Sequence, residues 1–341
     1  MDKQPPIPLA GEQPSALPEA DCPINTPEDK KVIKAALGTE FNHLGLEKAC
    51  ESRTYLQNMY LLERAGGTSS HAHSLVYCQA VEELLRLRIP RRAAYIRSLL
   101  AELERLQSHL LWLGTIGREI GFDTLFMSAW RDREQVLNVL ATLSGNRINY
   151  SITTIGGVRR DLDLQQQEQI KQMLNTLQER INYYLQLALK EQGLALRLGG
   201  IGRLSQADVR RWGAVGPVAR AAGIATDIRA EDPYAAYDEI PLTVITATDA
   251  DILSCLVVRV QEMLESIKII HFCLEHLPAD GLVVKAPRQV PVGEALSRVE
   301  APFGETICYL RADGTEMPNR LSINSATTAN GQTMVQLLSR C

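Results

Sequence analysis

Apolar residues recur at three- and four-residue spacing along most of this chain, so helices dominate the expected fold. The plainest helix runs from residue 91 to about 113. There Ile96, Leu99, Leu100, Leu103, Leu106, Leu110 and Leu113 form an apolar stripe, while Ser98, Glu102, Arg105 and His109 form a polar one at i, i+4, i+7 and i+11. Pro90 suits the first turn of that helix. Residues 47–63 read as one earlier helix, ended by Gly66 and Gly67, and another starts between Ser70 and Ser74 and runs through Leu87. Gly114 and Gly117 predict a loosened connection to a helix that begins near Phe122, continues to Leu143 and stops at Gly145. A further amphipathic helix is expected over 161–192, and a last one from an N-cap within 248–251 to about Leu277.

Short β-like pieces flank the helices at 30–36, 282–285, 295–302 and 305–311, with Asp313-Gly314 as a turn. The Gly156-Gly157 pair predicts a tight turn and carries no phosphate-binding motif. Prolines at 5, 6, 8, 14, 18, 23 and 27 make the first 30 or so residues an extended arm or irregular hairpin, because each proline fixes its own dihedral and pushes its predecessor out of the helical region. The pattern therefore predicts a mostly α fold with peripheral β-hairpins, of the α+β class. Residues 1–40 form an N-terminal arm and hairpin, and 41–341 a helical domain with C-terminal hairpins.

Composition narrows the function classes. With 341 residues, 45% hydrophobic and 22% charged, the chain is long enough for a sizeable core. Its 36 basic residues nearly balance 40 acidic ones, so no overall basic field points to nucleic acid or an anionic membrane surface. No apolar run approaches the roughly 20 residues of a membrane helix, and the N-terminus lacks the hydrophobic segment of a secretory signal. A cytoplasmic location is the expectation. Seven cysteines (22, 50, 78, 255, 273, 308 and 341) lie scattered without a C-x-x-C pair, so they read as small buried hydrophobes.

The chemistry concentrates at 61–82, LLERAGGTSSHAHSLVYCQAVE: an arginine, a turn of small residues, then His73 on a helix with Tyr77, Cys78 and Glu82. This segment resembles the R-x-C-G-x-C-x-x-x-H motif and following helix of nickel-iron hydrogenase large subunits, without a gap. Both cysteines are replaced, by Gly66 and Ser69. A soft redox metal is held by thiolates; glycine offers only backbone, and a serine hydroxyl is not ionised near neutral pH. Gly66 and Ser69 are thus vacated ligand positions.

Other segments extend the resemblance in the same order. Ala101-Glu102-Leu103-Glu104-Arg105-Leu106-Gln107-Ser108-His109-Leu110 is similar to the A-E-L-x-R-x-x-S-H-L segment shared by energy-converting hydrogenases and the 49-kilodalton subunit of respiratory complex I. Ser297-Arg298-Val299-Glu300-Ala301-Pro302-Phe303-Gly304-Glu305 resembles their S-R-V-E-A-P-R-G-E hairpin. Gly11 to Glu19 lines up with G-P-Q-H-P-A-L-K-E, and residues 41–48 with Y-x-H-R-G-x-E-K, except that Leu44 stands at the arginine. The chain ends at Cys341 without the family's second thiolate pair, D-P-C-x-x-C, so the expectation is that all four thiolates of a nickel-iron centre are absent.

The resemblance implies a hydrogenase large-subunit-like helical bundle, peripheral on the cytoplasmic face of the membrane. It would pack on a small iron-sulfur subunit beneath membrane-arm subunits and bind no cofactor of its own. Arg105 and His109 would face the partner's cluster; the bland alternative is a solvated helix face. Glu19, His43 and His73 would relay protons or line the cavity, against a solvated glutamate and a structural histidine as the plain readings of the first two. Three functions follow from the resemblance. The first is an energy-converting complex that has lost hydrogen chemistry and couples electron transfer to ion movement. The second is quinone reduction of the complex I kind, opposed by Gly67 and Pro18 at the positions of the two quinone-head contacts. The third is a purely structural subunit.

Overall fold

The computed structural model describes residues 23–28, 31–37 and 44–338. Strands β1 (Pro23–Glu28) and β2 (Lys31–Leu37) pair antiparallel, with a register shift between Asn25 and Pro27. Two short helices follow, α1 (Leu46–Cys50) and α2 (Tyr55–Leu62), in place of the single expected helix. The break is local chemistry: the Thr54 side chain accepts from the Gln57 backbone N–H while the Gln57 side chain accepts from Thr54 N–H, a capping box that starts a new helix.

Helix α3 (Ser70–Leu84) ends three residues earlier than predicted, and Arg86 beyond it has a φ of 50°. Helix α4 (Arg91–Glu119) continues through Gly114 and Gly117 to pack on α5 (Asp123–Ser144), so the predicted loosening there is wrong. The two glycines serve close approach instead. A Cβ at Gly114 would lie 2.5 Å from Trp130 Cδ1, and one at Gly117 3.0 Å from Phe126 N. Gly145 closes α5 in the left-handed conformation that glycine adopts without steric cost.

Strands β3 (Thr153–Thr154) and β4 (Gly157–Val158) form a two-residue ladder around the predicted glycine turn. Helix α6 (Leu164–Lys190) starts from an Asp163–Gln166 capping box. Short helices α7 (Gln192–Leu198), α8 (Gln206–Trp212), α9 (Pro217–Ala221) and α10 (Ile228–Glu231) fill the stretch that glycines break up. The Asp251 side chain caps α11 (Ile252–Glu275). Strands β5 (Gly293–Ala301), β6 (Gly304–Ala312) and β7 (Pro318–Asn324) make an antiparallel sheet in that order, before α12 (Ala326–Leu338). Residues 282–285 are not a strand; Val283 makes only an isolated bridge to Gly157.

Two apolar clusters organise these elements. One joins α4, α5, α6 and α11 in a bundle; the other packs α2 and α3 against the three-stranded sheet. Each fully buried leucine of the α4 stripe, such as Leu99 or Leu103, contributes on the order of 1.5–3 kcal/mol. A buried ion pair ties the clusters together: Arg97 of α4 donates to both Glu82 oxygens of α3, at 2.9 and 2.6 Å, and also to the carbonyls of Thr154 and Gly157. Among the described residues, no helix is long and apolar enough to cross a membrane. Cys50, Cys78, Cys273 and Cys308 are buried, and burial pushes their thiols up.

Candidate functional site: a closed ligand turn beside a buried charge network

The turn between α2 and α3 brings Gly66, Ser69 and His73 together. His73 is buried; its Nδ1 lies 2.8 Å from the carbonyl of Ser69, to which it donates, and 3.4 Å from Ser69 Oγ. A Cβ built on Gly66 would stand 2.7 Å from His73 Cε1, 3.1 Å from its Nδ1 and 2.9 Å from Ser69 Oγ. The imidazole therefore occupies the space into which a residue-66 side chain would project. With no thiolate, a hydroxyl turned to His73 and a ring where the first ligand would stand, these residues do not fit a nickel-iron centre. No group of three or more metal-ligating side chains occurs among the described residues.

Around the turn, Gln107 of α4 donates to the Thr68 carbonyl at 3.2 Å and accepts from Arg133 of α5 at 3.1 Å. His71 points away from His73: its Nε2 is 3.1 Å from the Arg97 carbonyl and its Nδ1 3.4 Å from Thr153 Oγ1. Arg64 is exposed and donates to the Tyr60 carbonyl, outside the turn. Glu19 and His43 lie outside the described residues, and Leu44 is 67% exposed.

The polar stripe of α4 is not a solvated face. Ser98, Glu102, Arg105 and His109 are all fully buried, because α11, α10, α9 and the β5–β6 hairpin cover them with charged partners. Glu102 accepts from Arg229 at 2.9 Å, Tyr237 OH at 2.5 Å, Ser266 Oγ at 2.6 Å and Arg105 Nε at 3.3 Å. Arg229 also pairs with Asp227 at 2.7 Å. Arg220 bridges Glu262 at 2.6 Å and Glu300 at 2.8 Å, and Arg105 Nη2 donates to the Glu300 carbonyl at 2.6 Å. Burial alone would raise Glu102, but Arg229 and Arg105 hold its carboxyl down at about 2. Glu262 is likewise kept well below the usual range by Arg220 and His109 against the pull of burial.

His109 sits at the end of this network with both ring nitrogens committed. Arg259 Nη1 lies 3.1 Å from Nδ1, and a guanidinium can only donate, so Nδ1 accepts. Nε2 therefore carries the proton and donates to Glu262 at 2.9 Å. Burial, with the adjacent Arg259 charge, pushes the imidazole down to about 3 against the Glu262 hydrogen bond, so it is neutral near pH 7. The Arg259 guanidinium is held between the rings of Trp112 and Phe303, 4.7 and 5.0 Å from their centroids. Four buried arginines (105, 220, 229 and 259) thus face four buried carboxylates (102, 227, 262 and 300). Pattern reading found only Glu102, Arg105 and His109. One available signal was Arg259 and Glu262, three apart on the apolar run of α11.

Comparison with known proteins places this architecture. A model of the 49-kilodalton subunit of the respiratory-chain NADH dehydrogenase matches residues 119–289 and 282–340. The membrane-bound hydrogenase subunit alpha of Pyrococcus furiosus is 33% identical over 338 residues, covering 94% of this chain and 79% of that protein. The chain belongs to this 49-kilodalton subunit family. Another family relative, an NADH-quinone oxidoreductase subunit of Dehalococcoides mccartyi, is 36% identical over 291 residues, 84% of this chain and 79% of that one. Among solved structures, a chain of the membrane-bound sulfane sulfur reductase, an archaeal respiratory membrane complex, superposes with a TM-score of 0.89 at 29% identity, covering 93% of this chain and 88% of that chain. Family membership gives the charge network its context, since α4 carries both the network and the family's A-E-L-x-R-x-x-S-H-L segment.

Proposed function

We propose that this chain is the large subunit of a membrane-associated, complex I-like energy-converting oxidoreductase complex. It packs on a small iron-sulfur subunit under membrane-arm subunits, peripheral on the cytoplasmic face, and forms a nickel-free cavity that couples electron transfer to proton or ion translocation. The supporting observation is the contrast between the two halves of the site. The ligand turn between α2 and α3 is closed by His73 over Gly66, while across α4, α11 and their neighbours four buried arginines face four buried carboxylates.

In this reading Arg105 and His109 lie toward the cluster of the small subunit, and Glu19, His43 and His73 serve the proton side of the cavity. Neutral His109 is poised between a fixed cation and a fixed carboxylate, so a change of charge at a nearby electron carrier acts directly on its two hydrogen bonds. Nickel and iron content of the complex, purified natively without oxygen, tests the proposal. The expected result is abundant iron with nickel far below one per complex; near-stoichiometric nickel would overturn it.

The second reading is quinone reduction, favoured by family membership and by the name of the Dehalococcoides relative. Against it stands Gly67, exposed with no atom near the position of a Cβ, at the residue where complex I carries a tyrosine. A requirement for lipid quinone in turnover would select this reading.

A further inference from the structure

Beneath the ligand turn lie two carboxyl groups that the proposed function does not use. Glu63 ends α2 and is 2% exposed; it accepts from Ser151 N and Ser151 Oγ, both at 2.6 Å. Glu104 of α4 is 1% exposed and accepts from His71 N at 2.6 Å and Ala72 N at 3.0 Å. Neither forms an ion pair among the described residues, in contrast to every carboxylate of the neighbouring network. A carboxylate at Glu63 opposes the ionisation of Glu104 in the same buried region.

Glu104 also has a structural task. The first turn of α3 has N–H groups without an intrahelical acceptor, and its N-cap residue Ser69 makes no side-chain cap bond. Glu104 supplies that cap from another helix, one oxygen to each of two successive N–H groups. The residues it grips, His71 and Ala72, directly precede His73. Ionised, Glu104 accepts through two charged oxygens; protonated, one oxygen becomes a hydroxyl, and that half of the cap weakens.

We propose that Glu104 is the proton-holding group of this site and that its protonation state sets the first turn of α3, and with it His73 over Gly66. This deepens the proposed function and rests on that reading. The step is a simple ionisation: the carboxyl O–H bond breaks, its electron pair stays on oxygen, and the proton passes to solvent water. No electron donor or acceptor is required.

The groups that face Glu104 leave it this role. From the end of α2, Glu63 opposes its ionisation. From α3, His71 is held neutral by burial, down to about 4. From the segment before β3, the Tyr150 phenol is raised by burial and stays protonated. On α4, Arg105 is committed to Glu102 and to the carbonyls of Glu300 and Ala301. From α5, Arg133 is occupied by the Gln107 side chain. Burial pushes the Glu104 carboxyl up to about 8, outweighing the two N–H donors, with Glu63 adding to the rise.

The test is infrared difference spectroscopy of the assembled complex across pH, following the carbonyl stretch of a protonated carboxylic acid and its shift in heavy water. The wild type is expected to lose such a band with a midpoint at about 8. Glu104→Gln is expected to lack it. Glu63→Gln keeps the band but moves its midpoint down. A wild-type complex without a titrating band, or the same band in Glu104→Gln, overturns the proposal. Should Glu104→Gln not assemble, Glu63→Gln decides alone: a midpoint that does not move means that the titrating acid is not the one Glu63 faces, and overturns the proposal. The two claims fail separately. A complex with stoichiometric nickel that retains the band refutes the function and keeps the assignment of Glu104; a nickel-free complex without the band does the reverse.

Discussion

Gly66→Ala is the smallest change that asks whether His73 closes the ligand turn. The added methyl would stand 2.7 Å from His73 Cε1 and 2.9 Å from Ser69 Oγ, both inside van der Waals contact. The ring has little freedom to withdraw, since it is buried and its Nδ1 is bonded to the Ser69 carbonyl at 2.8 Å. Overpacking of this kind costs about 1–3 kcal/mol. His73→Ala loses one buried hydrogen bond and the packing of the ring, a cost of its own, but it empties the space that the methyl needs. The double variant should therefore be more stable than the sum of the single costs predicts, by a coupling of about 1–2 kcal/mol. Urea unfolding of the four proteins gives that coupling from the midpoints, provided the denaturant slopes agree. A coupling below about 0.5 kcal/mol, or a Gly66→Ala variant as stable as the parent, would show that the imidazole does not fill the position.

Other predictions test the site's chemistry and its electrostatics. Restoring both cysteines, Gly66→Cys with Ser69→Cys, should not create a two-thiolate cadmium site, whereas adding His73→Ala should; ultraviolet thiolate-to-metal absorption distinguishes the two proteins. Glu102→Gln leaves Arg105 and Arg229 with less counter-charge in a fully buried position and should cost about 3–5 kcal/mol of unfolding free energy, measured by denaturant titration. Because the folded Glu102 carboxyl is depressed to about 2 from 4.5, its contribution is present above the unfolded value and lost as pH falls through the folded one. That loss amounts to about 3 kcal/mol, and the Glu102→Gln protein should lack it in an acid titration of stability. Glu104 works in the opposite sense. Its raised carboxyl contributes stability that is fully present below the unfolded value of 4.5 and is lost as pH rises from there through about 8, so Glu104→Gln should flatten the pH dependence of stability between about 4.5 and 8.

Much of the architecture was legible along the chain because it depends on local periodicity. The long stripe of α4, the stop at Gly145, the cap at Asp251 and the β5–β6 hairpin are each set by a few neighbouring residues. That Gly66 and Ser69 offer no thiolate was equally plain, and only the resemblance to hydrogenase large subunits implies that they are vacated ligand positions. Tertiary contact governed the rest. Nothing local distinguishes Gly114 and Gly117 as contact glycines from breakers until Trp130 and Phe126 are packed on them. A run of Ser98, Glu102, Arg105 and His109 has the same periodicity whether water or protein covers it. Here the cover comes from Arg229, 127 residues away from Glu102, and from Glu262, 153 residues away from His109. Neighbouring residues were enough to say which of the long helices form. Which charges are buried together, and that His73 fills the gap at Gly66, emerged with the folded chain, because both depend on distances between segments that local propensity does not encode.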